Sequence, residues 1–434
     1  MPRPSASRFA RVPAWAIAGT TAAFCYAALA TRSHAPGGAT LSELWVFSAC
    51  AFVASFALWW RHREEDTDPP LVAVLGFAAL FQAIGVAGLP ILEDDPYRYL
   101  WDAWVFQERG SPYGVAPAAY FDRAVPAPFD RILDQINNPA LPTVYGPVCQ
   151  WLFRAAHTMA PGLLWPLQFF AGAAVLGCCL VVARVVRPRD LLLLAWSPLV
   201  VKEFGFTAHT DAFGVLPLLL SIAVRAERPV AAGVLLAIAF GARPFAAVLA
   251  PFVLLGSGRA WLAFVVGVVA LHAPFFDPAL LRPDASEGLR SLAGGWLFNA
   301  PLHLLALQVW PGGEARGVLS AAFVIGWCAL LHRHVRDASA SDWPRGDLVF
   351  GALLLFAPVL NPWYALWALA FAPLRPSATA WVASAGLLVS YAHGLGLGDA
   401  NLAPYEVPAW ALFLEFGPIA LAFAWDLQSS RRSA

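Results

Sequence analysis

Charge is scarce in this 434-residue chain: Asp, Glu, Lys and Arg make up only 13% of it, 28 acids against 28 bases. Soluble domains carry about twice that share. The scarcity excludes an ordinary soluble domain, and the zero balance offers nothing to nucleic-acid phosphates. Cysteine is also sparse. The six residues Cys25, Cys50, Cys149, Cys178, Cys179 and Cys328 form no Cys-x-x-Cys pair, and five of them lie in apolar runs. That argues against a disulfide framework and against a zinc site. No internal repeat and no separate soluble catalytic domain is visible. What is abundant is apolar surface: 59% of the chain is hydrophobic, including 19 Trp. The expected fold is all-α, a polytopic transmembrane helical bundle of about 12–14 spans in a single domain, with amphipathic helices at its outer surface.

The order of apolar runs and basic clusters gives a topology. Residues 13–31 follow Arg3, Arg8 and Arg11 and are too long for a signal-peptide core, so they are read as a retained outward span. Residues 41–60 return to Arg61-His62-Arg63, and 71–91 go out again, which places Glu93–Asp95 on the outer face. A polar loop from 92 to about 144 follows. Residues 145–159 form an amphipathic helix on the outer surface, with Gln150, Arg154 and His157 on one face. Residues 163–183 run inward to Arg184, Arg187 and Arg189; 190–206 go out; 211–224 return to Arg225 and Arg228. Residues 229–257 read as two short spans around Arg243-Pro244, and 260–275 lead to a second outer loop, 276–316. Residues 317–332 return to His332-Arg333-His334-Val335-Arg336, 346–360 go out, 365–374 in, 378–395 out and 405–425 in.

The most unusual stretch is residues 93–113, beginning Glu93-Asp94-Asp95-Pro96. Pro at the first helical position, after an Asp able to cap it, predicts a helix start. Tyr97, Leu100, Trp101, Trp104 and Val105 make one apolar face that would lie on the membrane; Arg98, Asp102 and Arg109 make the other, and Gly110 ends the helix. Three acids at the mouth of a span are costly unless they function. The plainer alternative is that Asp95 caps the helix and Arg98–Asp102 is an i,i+4 pair. Further polar clusters fall on the same side: Thr207-Ala208-His209-Thr210-Asp211, Arg243 and Asn361-Pro362-Trp363-Tyr364.

These motifs resemble the C-type membrane glycosyltransferases that use polyprenyl-phosphate sugars, closest to the bacterial mannosyltransferase-like group. The resemblance rests on Glu93 through Asp102, Ser111-Pro112-Tyr113, Ile136-Asn137-Asn138-Pro139, Leu141 through Pro147, the His209-Thr210-Asp211 turn and Asn361 through Tyr364, in that order. It departs at Ala103, where Gly is usual, at Gly146, where Pro is usual, and in having two spans before the span that leads to the acidic loop. It implies a polyprenyl-phosphate-linked sugar donor, a lipid or glycan acceptor, surrounding membrane lipids, no nucleic acid, and a multi-pass protein of the bacterial inner membrane with its active site outside. It implies no cofactor, with a divalent metal left open at the acids.

The chemistry needs a base for the acceptor hydroxyl and positive charge for the leaving phosphate. Asp95 is the expected general base, kept ionised by a cation such as Arg98; Asp94 and Glu93 would orient it, bind sugar hydroxyls or hold a divalent ion. Arg98, Lys202, His209 and Arg243 are candidates for phosphate, and Tyr97, Asp211, Trp363 and Tyr364 for substrate contacts. Each has a plainer alternative: caps for His209 and Asp211, a structural pair for Lys202–Glu203, an interface anchor for Arg243, an aromatic belt for Trp363 and Tyr364. The competing function is a secondary transporter or lipid flippase with a carboxylate-coupled pathway, which would put acids in mid-span and show two related halves. An assembly protein without chemistry leaves the acidic loop unexplained.

Overall fold

A computed structural model describes residues 12–277, 296–311, 313–337 and 343–432. Arg3, Arg8, Arg11 and part of the second outer loop lie outside the described residues. The architecture is all-α; among the described residues the only extended pairing is an isolated bridge between Phe298 and Val359. Among the described residues six helices are each long and apolar enough to cross a membrane: Ala14–Ser33, Leu41–Glu64, Trp165–Val182, Gly258–Phe275, Glu314–Arg336 and Ala409–Ser429. The other expected spans are shorter or broken, so the larger sequence-based number counts pieces. Proline explains much of the breakage, because it removes a helix hydrogen bond and clashes with the preceding turn.

The run 190–206 shows this most clearly. A short helix, Pro188–Ala195, stops at Trp196; Ser197 caps a new start at Pro198 by accepting from Val200 N at 3.4 Å. A π-helical turn, Val201–Phe206, follows. The chain then bends by 115° into Asp211–Val224. The expected pair of antiparallel spans is therefore a bent pair. The turn packs backbone against backbone on helix Leu71–Val86: a Cβ on Gly85 would stand 2.6 Å from the carbonyl carbon of Gly205. Gln168 Nε2 ties the same junction to the carbonyls of Gly88 (3.0 Å) and Phe206 (2.8 Å). Irregular backbone between apolar segments persists only where protein covers it, and residues 201 to 211 are all buried.

The acidic helix runs Asp95–Arg109 and ends at Gly110, whose φ of 74° suits the left-handed stop. Its Trp-rich face does not lie on a membrane, as the sequence pattern suggested. Leu100, Trp101, Trp104 and Val105 are buried against Tyr120, Phe129, Ile132, Leu133 and Ile136 of the long loop. Trp104 stacks on Phe129 at 5.4 Å. Burying an aliphatic or Phe side chain contributes about 1.5–3 kcal/mol, enough for the loop to hold this face. On the opposite face Arg98 and Asp102 are buried too, while Arg109 is exposed. Arg98 Nε bonds Asp102 Oδ1 at 2.9 Å and its Nη1 bonds the Leu141 carbonyl at 3.0 Å. Asp102 also accepts from Thr143 and from Gln150 Nε2. Gln150 belongs to the second amphipathic helix, Pro147–Met159, whose Trp151 stays exposed. Gly146 begins that helix, and a Cβ there would stand 2.2 Å from the Gly241 carbonyl oxygen. That close approach accounts for glycine at the position where the resembled family usually has proline.

Candidate active site

Glu93, Asp94 and Asp95 open onto a cavity of about 590 Å³. Arg98, Asn137, Tyr145, Arg243, Phe298, Trp363, Tyr364, Tyr391 and Tyr405 are among the other side chains lining it. The acids are not spent on capping, since Asp94, the residue before the helix, makes no side-chain cap bond. Asn137 Nδ2 instead donates to both Asp94 Oδ1 (2.6 Å) and Asp95 Oδ1 (3.2 Å). Asp95 Oδ2 faces the hydroxyls of Tyr145 (3.2 Å) and Tyr99 (3.4 Å). Asp94 Oδ2 accepts from Tyr405 Oη at 3.3 Å, and Glu93 Oε2 from Tyr391 Oη at 3.3 Å. Burial, then the neighbouring Asp95, pushes the Asp94 carboxyl up to about 6. The same two causes lift Glu93 well above the usual carboxylate range. One oxygen from each of the three acids can be chosen so that all lie within 4.8 Å of one another, a spacing a cation could bridge. Clustered acids alone assign no metal.

Behind this wall lies a buried second layer. His209 Nδ1 meets Tyr99 Oη at 3.0 Å and lies 3.9 Å from Asp95 Oδ2. Its Nε2 is 3.3 Å from Glu203 Oε2 and 4.0 Å from Glu93 Oε2. Its ring stacks on Trp363 at 3.7 Å. Ala208, with φ of 60°, makes the sharp turn that aims His209 there; a left-handed alanine is strained, and such strain persists where the surroundings fix it. Lys202 is committed to Glu203 (3.1 Å) and to Tyr391, over whose ring it also sits. Asp211 is no helix cap: it accepts from Trp367 Nε1 at 2.7 Å and lies 3.5 Å from Arg243 Nη2.

The predicted residues therefore divide. Glu93, Asp94, Asp95, Arg98, Arg243, Trp363 and Tyr364 line the cavity, whereas Lys202, His209 and Asp211 stand behind its wall. Tyr97 turns away and packs with the long-loop cluster. The guanidinium of Arg98 is taken up by Asp102 and Leu141 rather than by Asp95. Arg243 is different: its guanidinium lies over the rings of Tyr145 (5.3 Å) and Tyr364 (5.7 Å), and its Nε has no hydrogen-bond partner among the described residues. Glu203, Asn137, Tyr99, Tyr145, Tyr391 and Tyr405 were not singled out from sequence as site residues. Tyr99 could have been, because it stands one helical turn after Asp95 and on the same face.

An integral-membrane helical protein with acids, an arginine and aromatic rings around a cavity is the class that fold and site define. The family follows from comparison: residues 14–259 match the alpha-(1->6)-mannopyranosyltransferase family, N-terminal domain, and the chain belongs to that family. It is a glycosyltransferase of the mannosyltransferase kind. Curated proteins and solved structures gave no match. The matched segment contains the acids, His209, Asp211 and Arg243; Trp363, Tyr364, Tyr391 and Tyr405 lie beyond it.

Proposed function

We propose that the protein transfers a hexose, mannose by its family, from a polyprenyl-phosphate donor to a hydroxyl of a lipid or glycan acceptor in this cavity. The observation that carries the reading is the pairing of Asp95 with Arg243 across one side chain. Tyr145 donates to Asp95 and carries the Arg243 guanidinium over its ring. Asp95 takes the acceptor's hydroxyl proton as that oxygen bonds the sugar's anomeric carbon. The bond from that carbon to the phosphate oxygen breaks, its electron pair stays on the phosphate, and Arg243 stabilises the charge that develops there. Aromatic rings around the cavity supply flat apolar surface for the sugar. Exposed side chains such as Phe24, Val72 and Phe413 face the membrane lipids. The test is transfer by the purified protein from a polyprenyl-phosphate mannose to a membrane-extract acceptor. Absence of transfer with every polyprenyl-phosphate hexose would sink the reading.

The cavity is placed on the outer side of a bacterial cytoplasmic membrane, because basic clusters such as 332–336 then face inward. Asp122 and Val335 are exposed. In a cysteine-free background, a cysteine at 122 is expected to react with an impermeant reagent in intact cells, and one at 335 to be protected. The reverse pattern would invert the orientation.

The state of Asp94 predicts an acid limb in the rate. Its carboxyl sits at about 6, above the ordinary range. As pH falls through that value Asp94 gains a proton and stops presenting two accepting oxygens to sugar hydroxyls. Turnover should therefore decline below about pH 6. In Asp94→Asn that limb should disappear from the pH–rate profile, with a lower plateau. An unchanged limb would assign it to another group.

A further inference from the structure

We infer that Tyr99 and His209 form a proton relay that carries the acceptor's proton from Asp95 toward Glu203; the inference rests on the reading of Asp95 as the base. Asp95 and His209 are 3.9 Å apart at their nearest atoms, too far for direct exchange. Tyr99 Oη stands between them, 3.4 Å from Asp95 Oδ2 and 3.0 Å from His209 Nδ1. Tyr99, His209 and Glu203 are all fully buried, so solvent cannot take the place of any of them.

Counting hydrogens gives the chain a direction. A tyrosine hydroxyl has one proton to donate. While Asp95 is ionised, Tyr145 and Asn137 donate to it, which leaves the Tyr99 proton for His209 Nδ1, the nearer acceptor. His209 then carries its own hydrogen on Nε2, the atom that faces Glu203 at 3.3 Å and Glu93 at 4.0 Å. Once Asp95 has taken the acceptor's proton, its new O–H donates to Tyr99 Oη. The Tyr99 proton moves to Nδ1, and Asp95 is a carboxylate again. One proton enters the chain and one rests on the imidazole; no electron pair leaves the side chains. Glu203, 3.3 Å from Nε2, draws the positive charge to the imidazole, so the transfer runs away from the reacting sugar.

The surroundings suit a transient imidazolium. Glu203 faces Nε2 at 3.3 Å, Asp95 lies 3.9 Å from Nδ1, and the ring lies flat on Trp363. Lys202 Nζ meets the same Glu203 oxygen, Oε2, at 3.1 Å and is held there by Tyr391 as well. Asp211, two residues on, is occupied by Trp367 and Arg243. After the product leaves, the proton returns along the same three groups to water in the open cavity.

Tyr99→Phe removes the hydroxyl and keeps the ring that stacks on Phe153 at 4.9 Å. With a polyprenyl-phosphate mannose donor, kcat is expected to fall about tenfold to a hundredfold, the lower range for lost proton transfer. KM for the donor should stay the same. The variant's kcat should then climb with pH and with added imidazole, a base small enough to enter the cavity. His209→Gln should show the same loss and the same rescue, and decides the matter if Tyr99→Phe fails to fold. A Tyr99→Phe protein with unchanged kcat, or with a loss that neither pH nor imidazole moves, would overturn the relay and leave Asp95 as base. Normal turnover in Asp95→Asn would overturn the base and the relay together.

Discussion

Asp95→Asn should lower hexose transfer at least a hundredfold, the usual scale for loss of a general base, and leave the fold intact. The structure says why the two effects separate. Asp95 accepts through its two oxygens from Asn137 and Tyr145, with Tyr99 Oη 3.4 Å from Oδ2, and the start of its helix does not depend on its side chain. An asparagine can accept from Asn137 with its oxygen and donate to a tyrosine oxygen with its amide, so the geometry survives. What it cannot do is hold the acceptor's proton. The check is turnover with a polyprenyl-phosphate mannose beside a thermal melt in detergent. Near-normal turnover would remove Asp95 from the role, and loss in Asp94→Asn alone would move it one residue back.

Arg243 carries the second large effect, on activity and stability together. Arg243→Met removes the charge meant for the leaving phosphate, and kcat/KM is expected to drop about a hundredfold or more. It also strands Asp211, which is fully buried 3.5 Å from the guanidinium. Breaking a buried pair by removing one partner costs about 3–5 kcal/mol, so the single variant should melt well below the unmutated protein. Pairing it with Asp211→Asn takes away the stranded charge. The double variant should recover most of the melting temperature and none of the activity. Recovery of both would make Arg243 a structural residue.

The acidic stretch, its helix and the Gly110 stop were legible because they depend on neighbours in the chain. The order of apolar runs put His209 on the same side as Asp95 but did not reveal its place behind the cavity wall. The helix's setting was not legible. An apolar stripe looks the same whether it meets lipid or the loop residues Phe129, Ile132 and Ile136. Tyr391 and Glu93 meet across 298 residues of chain, and Tyr405 reaches Asp94 across 311. No local pattern encodes such pairs; they follow from how broken helices pack. The π-helical turn was hidden for a related reason. Residues 198 to 206 read as the end of a single span, yet Gly205 lets the backbone of the neighbouring helix approach and the turn widens around that contact.

Asn137 gives one side-chain amide nitrogen to two carboxylates at once. A change in either acid frees that nitrogen to tighten on the other, so Asp94 and Asp95 respond as a pair. Any loss of rate on replacing one of them therefore belongs to the pair as well. Two single substitutions here measure the coupling between the acids as much as the work of each, and only the double substitution read against both singles separates the shares.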